Sequence, residues 1–367
     1  MKLRLSPSRI AGRTAAGLLI TAVMTGSTPA RPTPLPSEPS NVVSRARYLM
    51  GTVCEAAAFP PDRLSAKETA SALEAAFDEI ARLEEILSDY KEFSELSRLN
   101  REAARNPVPC SEELYDFMSA AVSYSDMTAG AFDITVAPLI RLWDLRGAGR
   151  AASLREVEET LRHVGASLIE LHPEGRTVRF SREGVAIDPG ALGKGFALDA
   201  AAAVLRRRGV SSALLDFGGQ VLAIGSPPGE PAWKVDIAHP IKRGDAALTI
   251  NLKDASASTS GNSERTVMLG GDRVGHIVDP RTGRPLATRG SVTVVAASGA
   301  EADAFSTALL VMGPEEGLRW AGFRPDLSAV FLDTDSSGDL KIRSTRNLTM
   351  NDSAGVLPAG HHTVRGN

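Results

Sequence analysis

The hydrophobic period of this 367-residue chain changes near Gly165, and the change constrains its architecture more than any single motif does. Before Gly165, apolar residues recur three or four apart. Leu73, Phe77, Ile80, Leu83 and Leu87 share one face of a helix predicted over 65–87, opened by a capping box of Ser65 and Glu68. A second helix starts near Ser111, carries Leu114, Phe117, Met118, Ala121 and Val122 on one face, and stops at Gly130. A third, announced by Ser153 and Glu156, runs through Val157, Leu161 and Val164 to Gly165. Beyond it the period is 2, or apolar runs are short, which predicts strands at 177–180, 185–187, 213–217, 220–224, 233–237, 247–252, 267–269, 276–278, 291–296 and 327–332. Three helices interrupt them, from Gly195 to Arg208, from about Ala302 to Met312, and briefly after Pro314; Gly270-Gly271 marks a hairpin turn. Helices and strands arriving in blocks predict an α+β fold, antiparallel sheets with packed helices, rather than a doubly wound parallel sheet.

The N-terminus is a separate segment. Lys2, Arg4, Arg9 and Arg13 precede an apolar stretch from Ala15 to Met24, the charge-then-apolar order of a signal peptide, expected over 1–30 with cleavage after Ser27 or Ala30. The run is shorter than the ~20 apolar residues that span a bilayer. A Pro-rich linker follows over 31–45, then a body over 46–343 in one or two lobes, then a polar C-terminal tail over 344–367 with no function assigned. The expectation is an exported, periplasmic protein, soluble after signal cleavage, with no transmembrane segment in the mature chain. A net charge of -3 and 5% aromatic residues exclude a strongly basic nucleic-acid binder and a base-stacking platform. Two cysteines, Cys54 and Cys110, exclude a disulfide scaffold and a four-thiolate metal cage; they either pair or are separate buried thiols.

Three constellations carry chemistry. Asp188-Pro189-Gly190-Ala191-Leu192-Gly193-Lys194-Gly195 lies between a predicted strand and a predicted helix start. Glycines there let backbone approach a ligand, a helix N-terminus offers N–H groups to phosphate, and Lys194 adds a point charge; this suits a phosphorylated cofactor. The spacing is not G-x-G-x-x-G and no Ser or Thr follows the lysine, and a tight strand-to-helix turn would use the same residues. Asp303, Ser306 and Thr307 fall three and four apart on one helix face, hard oxygens with one carboxylate that suit Mg2+ shared with substrate phosphates. A helix-start aspartate with hydroxyls bonding back to carbonyls gives the same pattern. Between Gly275 and Pro285, His276 ends a strand and can move a proton near neutral pH, and Arg281 or Arg284 can face an anion; turn geometry alone also accounts for Asp279 to Gly283. Asp333, Asp335, Ser337 and Gly338 imitate a calcium loop, but Ser344 stands where a bidentate Glu is required, so a hairpin turn is expected. Gly218-Gly219 reads as a bulge or bend rather than a phosphate turn.

Taken in order, Met50-Gly51-Thr52, Ser88-Asp89-Tyr90, Ser94 to Asn100, Gly130-Ala131-Phe132-Asp133, Asp188 to Gly195, His276 to Pro285 and Asp303 to Thr307 resemble the ApbE family, over about Tyr48 to Leu332. The resemblance implies a fold related to the T-fold and an FAD:protein FMN transferase, which moves FMN from FAD to a Thr or Ser hydroxyl of a partner protein and releases AMP. It implies FAD contacts at Met50, Tyr90, Ala131, Phe132, Asp133, Asp188, Lys194, His276 and Ile277, and Mg2+ ligation by Asp303 and Thr307 with Ala191 and Ser306. Pro189 departs from the family, whose loop often has a hydrophobic residue after the aspartate, and stiffens the turn. His276 is the candidate for polarising or deprotonating the attacking hydroxyl. The implied acceptor is a membrane redox subunit with a Ser/Thr-Gly-Ala-Ser/Thr motif; the nearest imitation in this chain, Ser298-Gly299-Ala300-Glu301, has an acid where the acceptor hydroxyl belongs. Two alternatives stand beside this: an FAD pyrophosphatase giving FMN and AMP, and a non-catalytic exported flavin-binding protein, against which the Asp303 and Thr307 pair counts.

Overall fold

The computed structural model describes residues 41–364 except 243, 262–265, 270, 288–289, 336, 349, 353–354 and 358–359. The expected signal peptide, the linker up to residue 40, and Gly270 of the expected hairpin turn lie outside the described residues. The helices are α1 (Ala66–Leu87), α2 (Glu95–Glu102), α3 (Glu112–Met127), α4 (Ala137–Leu142), α5 (Leu154–Leu161), α6 (Gly193–Arg207) and α7 (Gly299–Gly322). α1 begins as its sequence dictates, with Ser65 Oγ accepting the Glu68 N–H while the Glu68 carboxylate accepts the Ser65 N–H at 2.8 Å.

A nine-stranded sheet organises the molecule. Its strands are Val43–Leu49, Thr52–Ala58, Ala213–Phe217, Gln220–Ile224, Ala255–Gly261, Ser291–Ala296, Ser328–Thr334, Leu340–Ser344 and His361–Val364; spatial order repeats chain order and every neighbour is antiparallel. Both faces of its inner strands are buried, while the edge strand Val43–Leu49 is largely exposed. Leu215, Leu222, Ile224, Val292, Val294, Ala329 and Phe331 join the core that contains Leu73 and Phe77 of α1, Leu198 of α6 and Phe305 and Leu309 of α7. Leu214, Val221, Ala223, Val330 and Leu332 face Trp233, Val235, Ile237, Leu248 and Ile250 of a four-stranded sheet built from Trp233–Ala238, Ala246–Leu252, Met350–Asp352 and Gly355–Leu357. This double burial is why 213–215 and 221–224 read as unbroken apolar runs.

Several expectations need correction. Val185–Ile187 is buried but pairs with no strand among the described residues; Ile187 instead gives its N–H to Asn100 Oδ1 at 2.7 Å and takes Asn100 Nδ2 on its carbonyl at 3.0 Å. Of 276–278, only Val278 enters a strand, Val278–Asp279. The end of the expected linker is already strand from Val43, and the expected polar tail supplies three strands, with Met350 fully buried. Runs of three or four residues carry too little alternation to be read. The two late helices are as expected: α7 runs helical to Met312, breaks where Gly313 takes φ 77 and ψ 171, and resumes from Pro314.

α6 and α7 cross at their starts. A Cβ on Gly195 would stand 2.1 Å from the Gly299 carbonyl oxygen, and one on Gly299 would stand 2.5 Å from that of Gly195. Asp199 of α6 takes the Gly299 N–H at 2.6 Å and the Ala300 N–H at 2.9 Å, and Gln220 Nε2 donates to the Gly299 carbonyl at 2.7 Å. Gly195→Ala is therefore expected to destabilise the protein by more than about 2 kcal/mol in urea unfolding, because backbone rather than a flexible side chain must give way. Gly322→Ala, with nothing within 4 Å of its new methyl, should stay within about 0.5 kcal/mol of the parent.

Candidate active site

The N-cap residue of α6 is Leu192, whose side chain can accept nothing, so the orphan N–H groups of the first turn find other acceptors. Gly193 N–H meets the Pro189 carbonyl at 2.7 Å, and Gly195 N–H meets Asp303 Oδ2 of α7 at 3.1 Å. Lys194 turns to the same carboxylate, with Nζ 3.6 Å from Asp303 Oδ1 and 3.4 Å from the Gly190 carbonyl. The glycine loop and the oxygen face of α7 thus meet at one buried carboxylate.

The strand Ala255–Gly261 completes that face. Ser258 Oγ donates to Asp303 Oδ1 at 3.4 Å, and Ser260 Oγ lies 2.8 Å from Ser306 Oγ and 3.2 Å from Thr307 Oγ1. Ser306 also bonds back to the Asp303 carbonyl at 2.9 Å. Ala191 lies partly buried on the turn into α6. Among the described residues no three His, Cys, Asp or Glu side chains gather as a metal cluster. One carboxylate with four neighbouring hydroxyls is nonetheless a hard-oxygen set, which fits Mg2+ when substrate phosphates supply further oxygens.

Hairpin tips close the same end of the sheet. Met50 and Gly51, at φ 46 and 76, form a two-residue turn between Leu49 and Thr52, and Met50 Cε lies 3.7 Å from where a Gly193 Cβ would be. Gly218 and Gly219, at φ 61 and 95, form another between Phe217 and Gln220, so the expected bulge or bend is a hairpin turn, a geometry open to glycine because both residues need positive φ. Asp335 caps a third turn by taking the Ser337 and Asp339 N–H groups at 3.0 Å, as the hairpin expectation requires.

Charge surrounds the entry to the loop. Asp188 takes the Gly190 N–H at 2.8 Å and an Arg146 contact at 2.6 Å, while Arg146 also meets Asp89 at 2.7 Å and lies over the Tyr90 ring, 4.5 Å from its centroid. Burial, and then the neighbouring Asp188, raise the Asp89 carboxyl above its usual range, with Arg146 opposing. Ala131, Phe132 and Asp133 are buried beside this loop, where Asp188 N–H meets the Ile134 carbonyl at 2.7 Å. Asp133 takes the Thr135 and Ala166 N–H groups at 2.7 and 2.8 Å, and burial raises its carboxyl. Its oxygens are committed to this turn, and the Phe132 ring packs against Tyr124, so any ligand contact from this stretch falls to backbone.

His276 and Ile277 are partly buried on the bend between Asp272–Gly275 and Val278–Asp279. The hairpin that follows is tied to both sides of the site, through Trp143 Nε1 to the Gly283 carbonyl at 2.7 Å and through Arg281 to Glu316 of α7 at 3.6 Å. Ser298 caps α7 by taking the Glu301 N–H at 3.1 Å, so the imitation acceptor segment is a helix start. Cys54 and Cys110 are free thiols, pushed by burial up to about 12 and about 11. Sequence reasoning assigned no role to Arg146, Asp199, Gln220, Ser258 or Ser260. The Ala-Ser-Ala-Ser alternation from Ala255 to Ser258 could have marked a strand with one hydroxyl face, but it lacks the bulky apolar residues by which strands are read.

The ApbE family profile matches residues 50–331. A protein of Treponema pallidum named FAD:protein FMN transferase is 31% identical over 311 residues, 80% of this chain and 84% of the relative. One of Rhodobacter capsulatus with that name is 32% identical over 318 residues, 85% of this chain and 58% of the relative. Among solved structures, the flavin transferase ApbE from Vibrio cholerae shares the fold at a TM-score of 0.71 and 25% identity, covering 84% of this chain and 98% of that one. The apo flavinyl transferase ApbE of Pseudomonas stutzeri does so at 0.73 and 26%, covering 83% and 95%. With the profile spanning most of its length and its relatives alike in sequence and fold, the chain belongs to the ApbE family.

Proposed function

We propose that this chain transfers FMN from FAD to a Ser or Thr hydroxyl of a partner protein in a Mg2+-dependent reaction. As a family member it is a transferase. The observation that carries the finer reading is the shared carboxylate, with Gly195 N–H 3.1 Å and Lys194 Nζ 3.6 Å from Asp303. It brings a helix N-terminus, a cation and an oxygen face to one place, the combination a dinucleotide diphosphate needs.

The acceptor oxygen attacks the FMN-side phosphorus, the bond from that phosphorus to the bridging oxygen breaks, and AMP leaves while the acceptor proton passes to a base. Lys194, on the first turn of α6, binds the diphosphate and stabilises the charge that builds on it. Asp303 and Thr307, with Ser306 and the Ala191 carbonyl, would hold Mg2+, which when bound neutralises diphosphate charge. His276 is the proposed group that polarises or deprotonates the acceptor hydroxyl. Met50, Tyr90, Asp188, Ile277 and the backbone of Ala131 to Asp133 are the proposed FAD contacts.

We further assign export to the periplasm, on the basic-then-apolar order of residues 2–24, and an acceptor on a membrane redox subunit. No helix among the described residues is long and apolar enough to cross a membrane. N-terminal sequencing of the exported protein should start after Ser27 or Ala30; an intact N-terminus would overturn the signal assignment.

Incubation with FAD, Mg2+ and a candidate acceptor, read by mass spectrometry, should give a covalent FMN adduct; free FMN with AMP indicates a pyrophosphatase, and unchanged FAD a binding protein. Asp303→Ala should lower adduct formation at least about 100-fold, and unimpaired turnover would remove the metal assignment. His276→Ala should cost about 100- to 10,000-fold in kcat while FAD still binds. Equal kcat in that variant would hand the proton to another group.

A further inference from the structure

Arg146 makes three contacts that the diphosphate site alone does not call for. Its guanidinium reaches Asp89 at 2.7 Å and Asp188 at 2.6 Å, carboxylates whose side chains are 12% and 8% exposed. It also lies over the Tyr90 ring, 4.5 Å from the centroid, although Tyr90 is 70% exposed. An aromatic ring left so open, with a cation behind one face, presents its other face to solvent.

Each contact acts on a different part of the loop entry. The Asp188 carboxylate that Arg146 grips also takes the Gly190 N–H at 2.8 Å, so the ion pair fixes the turn leading into Lys194. Asp89 and Asp188 lie near enough to raise the Asp89 carboxyl, and Arg146 is the cation between them. Arg141 adds positive charge nearby, for it feels Arg146, Asp188 and Asp89, but it forms no ion pair among those described.

We infer that Arg146 is a positioning residue: it locks the Asp188 turn and backs the Tyr90 ring so that the ring's open face stacks a planar heterocycle of the bound dinucleotide. The inference rests on the FAD reading of this site. Stacking on a pre-set ring costs little ordering on binding, whereas a free tyrosine on a loop must first be immobilised. Two heterocycles, flavin and adenine, share the needed chemistry.

The test compares the wild type, Arg146→Met and the double variant Asp89→Asn/Arg146→Met by calorimetric titration of FAD, FMN and ADP, with thermal unfolding as a control for folding. Arg146→Met is expected to weaken FAD about 10- to 100-fold and to raise KM, with kcat at saturating FAD within about threefold, since the contacts serve ground and transition states alike. The double variant removes the clash of two facing carboxylates but not the missing support for Tyr90, so it should regain about half of the lost affinity on a logarithmic scale. A loss seen with FMN puts the flavin ring on Tyr90, and one seen with ADP puts adenine there. A folded Arg146→Met that binds FAD within twofold of the wild type overturns the inference, as does a double variant with no recovery. If the wild type itself binds no FAD, the proposed function fails instead.

Discussion

The contact between Gly195 and Gly299 is the constraint on which the site depends. Two helix starts touch backbone to backbone there, a separation that no side chain larger than hydrogen permits. Neither helix would hold that approach on packing alone. Asp199 on α6 grips the first N–H groups of α7, and Gln220, one residue past a hairpin tip, grips the Gly299 carbonyl. Only because the helices meet so closely can a main-chain N–H of α6 reach a carboxylate one turn inside α7.

Polar groups in this region divide by their partners. Asp133 and Asp199 are answered mainly by main-chain N–H groups, so burial dominates and both carboxyls are raised. Asp303 and Asp188 have a lysine and an arginine beside them. The first pair shapes turns and helix starts; the second pair is held by a cation each, Lys194 at 3.6 Å and Arg146 at 2.6 Å. A buried carboxylate next to a half-exposed lysine is a place where a substrate's charge can replace a protein contact without leaving either group bare.

Much of this was legible in the chain, and the rest was hidden for identifiable reasons. The capping box at Ser65, the apolar stripe of α1 and the alternating or unbroken apolar runs near 213–224 announce themselves because burial follows their period. The glycine loop and the Asp303 face were both visible as local patterns; that they share one carboxylate was not, because proximity across more than a hundred residues leaves no periodic trace. Two central features were missed outright. The strand Ala255–Gly261 lies in the middle of the sheet with no residue bulkier than threonine, since α7 packs so closely over it that small hydroxylated side chains fill the space. The stretch 185–187 looked like a strand because it is apolar and buried, but the Asn100 amide, not a neighbouring strand, pairs with the Ile187 N–H and carbonyl.

The sheet adds its strands in chain order, yet its second strand, Thr52–Ala58, waits for Ala213–Phe217 to be made, because all of α1 to α6 lies between them. The groups gathered at Asp303 come from three distant stretches of the polypeptide, and the last of them emerges only once α7 has been made. A chain still on the ribosome can therefore hold α1 to α6 while lacking this site altogether. The shared carboxylate is therefore completed late and in one step, when α7 docks on α6 and on the strand Ala255–Gly261.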